Sequence, residues 1–218
     1  STIWAAAVAA YRRKIESRPD YLSPDEYAMQ GLQPDTDGNL KPRDFSSLGE
    51  ARAFAADATG QVLFTEGTGW LCWDGKKFDQ SEAAVHLRFH AFTDRQLIEA
   101  RREVHAAVDA VADADELTGS IARQKTAQAR AYLKFVQAQR NTGGIAQSLK
   151  EAAHIVTIGV DELDADPFLL CTPGGVIDLR TGQMRPNDPA DRCTKCAAVA
   201  PSDAGAELWR EFLDRFTS

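Results

Sequence analysis

The side chains that could do chemistry are few, and their spacing argues against most of the chemistry they could do. Cys193 and Cys196 have the CxxC separation used by zinc and redox sites. A zinc ribbon needs a second ligand pair, however, and Cys72 and Cys171 stand isolated in strand-like apolar stretches. His86 and His90 are four residues apart but lack the Glu of an HExxH metal motif. Reduced thiols of a cytosolic protein are therefore expected, with metal binding the lesser alternative. Gly69, Gly75 and Lys76 imitate a phosphate loop. A Walker motif requires four intervening residues and Ser or Thr after the lysine, whereas here there are five, followed by Lys77. The carboxylates Asp109, Asp113, Asp115 and Glu116, and again Asp161, Glu162, Asp164 and Asp166, group as solvated helix ends rather than as an acid and base pair. No nucleophile has a partnered histidine. The expectation is a chain that holds and positions, with no catalytic residues, no metal and no cofactor of its own.

Charge distribution offers a binding surface instead. The 218-residue chain carries a formal net charge of −7. Yet residues 117–150 contain Arg123, Lys125, Arg130, Lys134, Arg140 and Lys150 and no Asp or Glu, so the acidic excess lies elsewhere. Arg123, Arg130 and Lys134 are seven and four residues apart, which at 3.6 residues per turn places them on one helical stripe. Ala129, Tyr132, Leu133 and Val136 fall on the other side, so the stripe is expected to face solvent. Arg123, Arg130, Lys134 and Arg140 are the candidate nucleic-acid contacts. So few charges predict weak, sequence-independent and salt-sensitive binding. The competing reading docks the same face against the acidic remainder or against the next subunit.

Periodicity locates the elements that must carry these residues. Ile3 to Glu16 has Trp4, Val8, Tyr11 and Ile15 spaced for one helix face, Ser23 caps a short helix over Asp25–Gln30, and 33–44 reads as a polar loop. A helix over Leu48–Ala58 precedes extended runs at Gln61–Phe64 and Trp70–Trp73. Asp74-Gly75 is a strong hairpin signal before Lys76–Phe78, so a three-stranded meander follows. Val85, Phe89 and Phe92 step along a helix, and Thr93 with Gln96 form a capping box expected to open a second one through about Ala112, with Leu97, Val104, Val108 and Val111 buried. Further helices are expected over about 121–139 and from 141–144 to 153.

The densest punctuation is LDADPFLLCTPGGVIDLRTG at residues 163–182. Pro167 stops a short helix, Phe168 to Leu170 form an apolar run, and Pro173, Gly174 and Gly175 bend the backbone. Arg180, Thr181 and Gly182 then make a hairpin loop before a return strand at Gln183–Arg185. A structural role suffices for this stretch, with Asp178 and Arg180 pairing locally to fix the turn.

Together, LLCTPGGVIDLRTG, the following TKC at Thr194–Cys196, the tryptophan hairpin GWLCWDGKKF at Gly69–Phe78 and the closing Trp209, Phe212 and Leu213 resemble the N-terminal helper domain of phage and plasmid primase-helicases. In poxvirus-type and phage-type replication proteins that domain precedes a superfamily-three helicase motor. The resemblance runs from about Leu48 to the C-terminus and rests on Trp70, Trp73, Asp74, Gly75, Asp166, Pro173, Gly174, Gly175, Asp178, Arg180, Thr181, Gly182, Thr194 and Lys195, read as structural motif residues. Relatives often carry Asn where this chain has Cys171. The resemblance implies a full-length protein that unwinds DNA with ATP and Mg²⁺ as a ring-shaped hexamer, with this piece coupling the motor to a primase module and touching single-stranded DNA. The alternative is an oligomerisation or protein-interaction domain in which Trp70, Trp73 and apolar helix faces form subunit interfaces.

The expected fold is α+β and mainly helical, with two small antiparallel hairpins or a meander. The expected parts are an arm over 1–45, a helper domain over 46–200 and a lead-in helix over 201–218 to a motor. No stretch approaches the roughly 20 apolar residues of a membrane span, and the apolar run Ile3–Ala10 precedes its basic residues, the reverse of a signal peptide. A piece of a longer cytoplasmic protein, of phage or plasmid origin in a bacterial host, is expected.

Overall fold

A computed structural model describes residues 40–114, 118–202 and 204–217; the helices expected over 3–16 and 25–30, and most of the loop over 33–44, lie outside the described residues. The fold is α+β and mainly helical. The chain forms two compact units. Of the described residues, those from 40 to Thr59 and within Ala83–Val156 make a helical unit; those within Gly60–Glu82 and from Thr157 onward make a sheet unit.

In the helical unit, α1 (Ser47–Asp57) starts where the Ser46 hydroxyl accepts the Gly49 amide at 3.0 Å, satisfying a donor the first turn would otherwise orphan. Gly49 allows the close approach of residue 44: a Cβ there would lie 2.1 Å from the Asp44 carbonyl oxygen. α2 (Glu82–Ala112) is one continuous helix, α3 (Gly119–Gln139) follows, and α4 (Thr142–Ile155) is capped by Asn141, whose side chain accepts the Gly144 amide at 2.8 Å. The capping box expected at Thr93 and Gln96 is therefore corrected, because neither side chain serves a helix start. Thr93 Oγ1 donates to the His90 carbonyl one turn back at 3.0 Å, and Gln96 is buried against α1.

The core of this unit is aromatic at one end and aliphatic at the other. Phe54 of α1 meets Phe89 and Phe92 of α2 edge-on, with centroids 5.1 and 5.6 Å apart. Further along, Ala100 packs with Tyr132, Phe135 and Val136, and Val104 and Val108 pack with Ala129, so α2 and α3 share the stripe expected from their periodicity. Thr126 is buried but satisfied, donating to the carbonyls of Ala107 and Ala122 at 3.0 and 2.9 Å. Glu50 and Gln96 are also fully buried. Gln96 Nε2 donates to Glu50 Oε2 at 3.1 Å and to the Leu40 carbonyl at 2.9 Å, while Glu50 Oε1 and Gln96 Oε1 have no hydrogen-bond partner.

The sheet unit holds two antiparallel three-stranded meanders: β1 (Val62–Thr65), β2 (Gly69–Trp73) and β3 (Phe78–Gln80), then β4 (Leu169–Thr172), β5 (Gly175–Asp178) and β6 (Gln183–Arg185). Register places Phe64 opposite Trp70 in the first sheet, and Leu170, Ile177 and Met184 in a row across the second. Backbone bonds tie the first sheet to the later chain: Phe78 donates its amide to the Cys193 carbonyl at 2.7 Å, and Ile158 donates to the Phe64 carbonyl at 2.9 Å. α5 (Ala206–Thr217) closes the chain.

Candidate nucleic-acid interface and motif turns

Helix α3 presents Arg123, Arg130 and Lys134 on its exposed side, while Ala122, Thr126, Ala129, Tyr132, Phe135 and Val136 are buried. The split follows from sequence alone, because α3 carries no acidic residue and its apolar positions recur every three or four. The three cations lie about 10 and 6 Å apart along the axis, from 1.5 Å of rise per residue. Their exposed neighbours Gln124, Ala127 and Ala131 are neutral. Arg140 sits differently. At the C-terminal end of α3 its guanidinium pairs with Asp94 of α2 at 2.5 Å and donates to Thr93 Oγ1 at 3.1 Å, which ties α3 to α2.

The motif residues build turns. Asp74 Oδ1 accepts the amides of Lys76 and Lys77 at 2.7 and 2.8 Å, and Gly75 takes a left-handed φ of 101°. Burial alone would push the Asp74 carboxyl up, but the two amides and the ammonium groups of Lys77 and Lys76 prevail and hold it below the ordinary carboxylate value. Trp73 is buried and packs on Leu71 and Phe78, while Trp70 is half-buried against Phe64, its ring edge-on at 5.2 Å. The alternative that made both tryptophans subunit contacts is corrected for Trp73, whose ring is enclosed within its own sheet unit.

In the second sheet, Thr172 Oγ1 donates to the Gly175 carbonyl at 2.7 Å and accepts the Gly174 amide at 3.3 Å, closing the turn that Pro173 begins. Gly175 has φ 145°, and a Cβ there would sit 2.4 Å from the Arg185 carbonyl oxygen, so glycine is demanded twice over. Asp178 caps the β5–β6 loop by accepting the Arg180 amide at 2.8 Å, its carbonyl accepts the amides of Thr181 and Gly182, and Gly182 has φ 69°.

The expected local pairing of Arg180 with Asp178 is present, at 3.8 Å, and the same guanidinium reaches further. It grips Asp166, fourteen positions away, through two bonds of 2.9 and 3.1 Å and lies 4.2 Å from the Phe168 ring centre. That grip, and then the Phe168 amide, hold the Asp166 carboxyl below its ordinary value. Thr194 binds the Asp164 carboxylate through both amide and hydroxyl, and Glu162 pairs with Arg192. Glu162, Asp164 and Asp166, expected as a solvated helix end, are thus turn clamps, whereas Asp109 and Asp113 do stand at the end of α2. Lys195 is exposed at the rim of a cleft of about 320 Å³ beside β4.

What sequence reasoning missed is convergence. Cys171 packs with Cys193 and Val176, and Cys196 lies against them. Among the described residues no three His, Cys, Asp or Glu side chains are placed to hold a metal ion, and no helix is long and apolar enough to cross a membrane.

No curated protein matches the chain. The family model described as D5 N terminal like matches residues 51–218, which takes in the tryptophan hairpin, both glycine turns, the Thr194-Lys195 pair and the closing helix. On that match the chain belongs to the D5 N terminal like family, the N-terminal domain of D5-like phage and poxvirus primase-helicases that precedes the helicase domain.

Proposed function

We propose that this domain is a non-catalytic helper of a replicative primase-helicase: a collar that couples the motor to a primase module and lets single-stranded DNA run along α3. The observation that carries this reading is the acid-free stripe of Arg123, Arg130 and Lys134, exposed on a helix whose opposite face is locked into the core. Phosphates spaced along a strand release counterions to such a stripe, so binding is sequence-independent and falls steeply with salt. Unwinding itself, with ATP and Mg²⁺ in a hexameric ring, belongs to the motor; the residues described here supply the platform.

The test is fluorescence anisotropy of a labelled oligothymidine against the domain over a salt series. The expected dissociation constant is on the order of 10⁻⁴ M at physiological salt, tightening as salt is lowered. Reversing Arg123, Arg130 and Lys134 to Glu should reduce the log–log salt slope by about 2, from about 0.7 per phosphate contact on a single strand. Absence of binding at low salt, or an unchanged slope in the variant, removes the DNA role.

A second reading, assembly without DNA contact, is supported by apolar surface on the sheet unit. Leu208 and Trp209 of α5 are 72% and 60% exposed, and Leu170 and Met184 stand exposed on the outer row of the second sheet. Light scattering separates the readings: a concentration-dependent oligomer with no affinity for DNA favours assembly.

A further inference from the structure

Three of the four cysteines come from two segments distant in sequence and meet in one place. Cys171 of β4 and Cys193 are buried together, and Cys196 is half-exposed against them. The Ala197 amide donates to the Cys171 carbonyl at 2.8 Å, so the chain at 196–197 runs alongside β4 and packs Cys196 against the Cys171 group, while the Cys171 thiol donates to the Lys76 carbonyl at 3.4 Å. The group opens on the cleft lined also by Leu169, Asp164 and Lys195.

We propose that Cys171 and Cys196 form an oxidant-responsive thiol pair, a modification site at which peroxide closes a disulfide between β4 and the 193–197 segment. Cys196, the thiol at the surface, attacks the peroxide; the O–O bond breaks, water leaves and a sulfenic acid forms on its Sγ. Cys171 Sγ then attacks Cys196 Sγ, the S–O bond breaks, and the hydroxyl departs with the Cys171 proton as a second water. Two thiols lose two electrons and one peroxide becomes two waters.

The CxxC pair is the competing disulfide, which peptide mapping distinguishes. Residues 193–197 carry no turn or bend, and a fully extended run would hold the two Cα atoms up to about 10 Å apart, against the about 4.4–6.8 Å that a disulfide spans. Burial pushes the Cys171 thiol up to about 12, and burial followed by the Asp191 and Asp164 charges pushes Cys193 up. Neither of these two initiates the chemistry, and the closing step is slow because little Cys171 thiolate is present.

The experiment treats the whole chain with hydrogen peroxide, blocks residual thiols and maps tryptic peptides without reduction. Trypsin cuts after Lys150, Arg180, Arg192, Lys195 and Arg210, which puts Cys171, Cys193 and Cys196 on separate peptides. The expected product joins 151–180 to 196–210 with the loss of two hydrogens. It disappears in Cys196→Ser and persists in Cys193→Ser, and in Cys171→Ser a dimedone adduct collects on Cys196. Linkage of 196–210 to 193–195, linkage of 151–180 to the Cys72 peptide 53–76, crosslinks only between chains, or four unmodified cysteines after treatment would each overturn the assignment. Mapping of the unmutated protein decides the matter even where a variant folds poorly.

Discussion

Replacing Glu50 with Gln should change how the stability of this domain depends on pH. Glu50 on α1 is fully buried, and burial lifts its carboxyl from 4.5 to about 7 against the opposing bond from Gln96. Its surroundings are acidic as well: Glu99 and Glu103 lie on the same side of α2, near Tyr132, with Lys41 as the compensating cation. The two orphan oxygens, Glu50 Oε1 and Gln96 Oε1, are one proton short of a complementary acid–amide pair. A proton on Glu50 Oε1 donates to Gln96 Oε1 while Gln96 Nε2 donates to Glu50 Oε2, and both acceptors are satisfied.

Because the folded value lies above the unfolded one, this contribution is fully present below pH 4.5 and is lost as pH rises through about 7. Working the proton linkage between pH 5 and pH 8 gives a loss of about 2–3 kcal/mol. Urea unfolding followed by circular dichroism at pH 5, 6, 7 and 8 measures it, with the difference between the wild type and Glu50→Gln cancelling carboxylates common to both. The gap should move by about 2–3 kcal/mol in favour of Gln over that range, with Gln the more stable protein at pH 8. A gap constant with pH would mean that Glu50 keeps one protonation state throughout, and the acid–amide account would fail.

Two further outcomes test the sheet unit. Gly175→Ala should cost more than about 2 kcal/mol, since it combines a left-handed φ with a Cβ driven into the Arg185 carbonyl. Gly182→Ala, with a left-handed φ but open space around it, should cost about 1; equal losses in thermal melts would contradict the steric argument. Trp73→Ala should cost about 3–5 kcal/mol because its ring is enclosed by Leu71 and Phe78, whereas Trp209→Ala on the exposed face of α5 should stay within about 0.5. Chemical denaturation of both variants checks this, and the reverse ranking would place the tryptophan hairpin outside the core.

Local sequence determined the elements and their faces. Apolar spacing of 3.6 specified the buried stripes of α2 and α3 and left Arg123, Arg130 and Lys134 outward, and Asp74-Gly75 and Thr181-Gly182 specified hairpins because left-handed backbone there needs glycine. Those signals act within about ten residues, which is why they could be read without the fold. The motif blocks likewise identified the family, since their turns recur as short strings. Partnerships between distant residues were decided by tertiary structure alone. The sequence pattern offered a capping box at Thr93 and Gln96, and the burial of Gln96 against Glu50 overrode it. Asp178 pairs with Arg180 as its nearness in the chain suggested, but the two-bond grip of Asp166 on the same guanidinium exists only because the β4–β5 pairing brings it there. Cys171 was isolated until the 193–197 segment ran beside its strand. Side chains tens of residues apart meet only when packing of the whole unit closes the loop between them, and no local spacing records that closure.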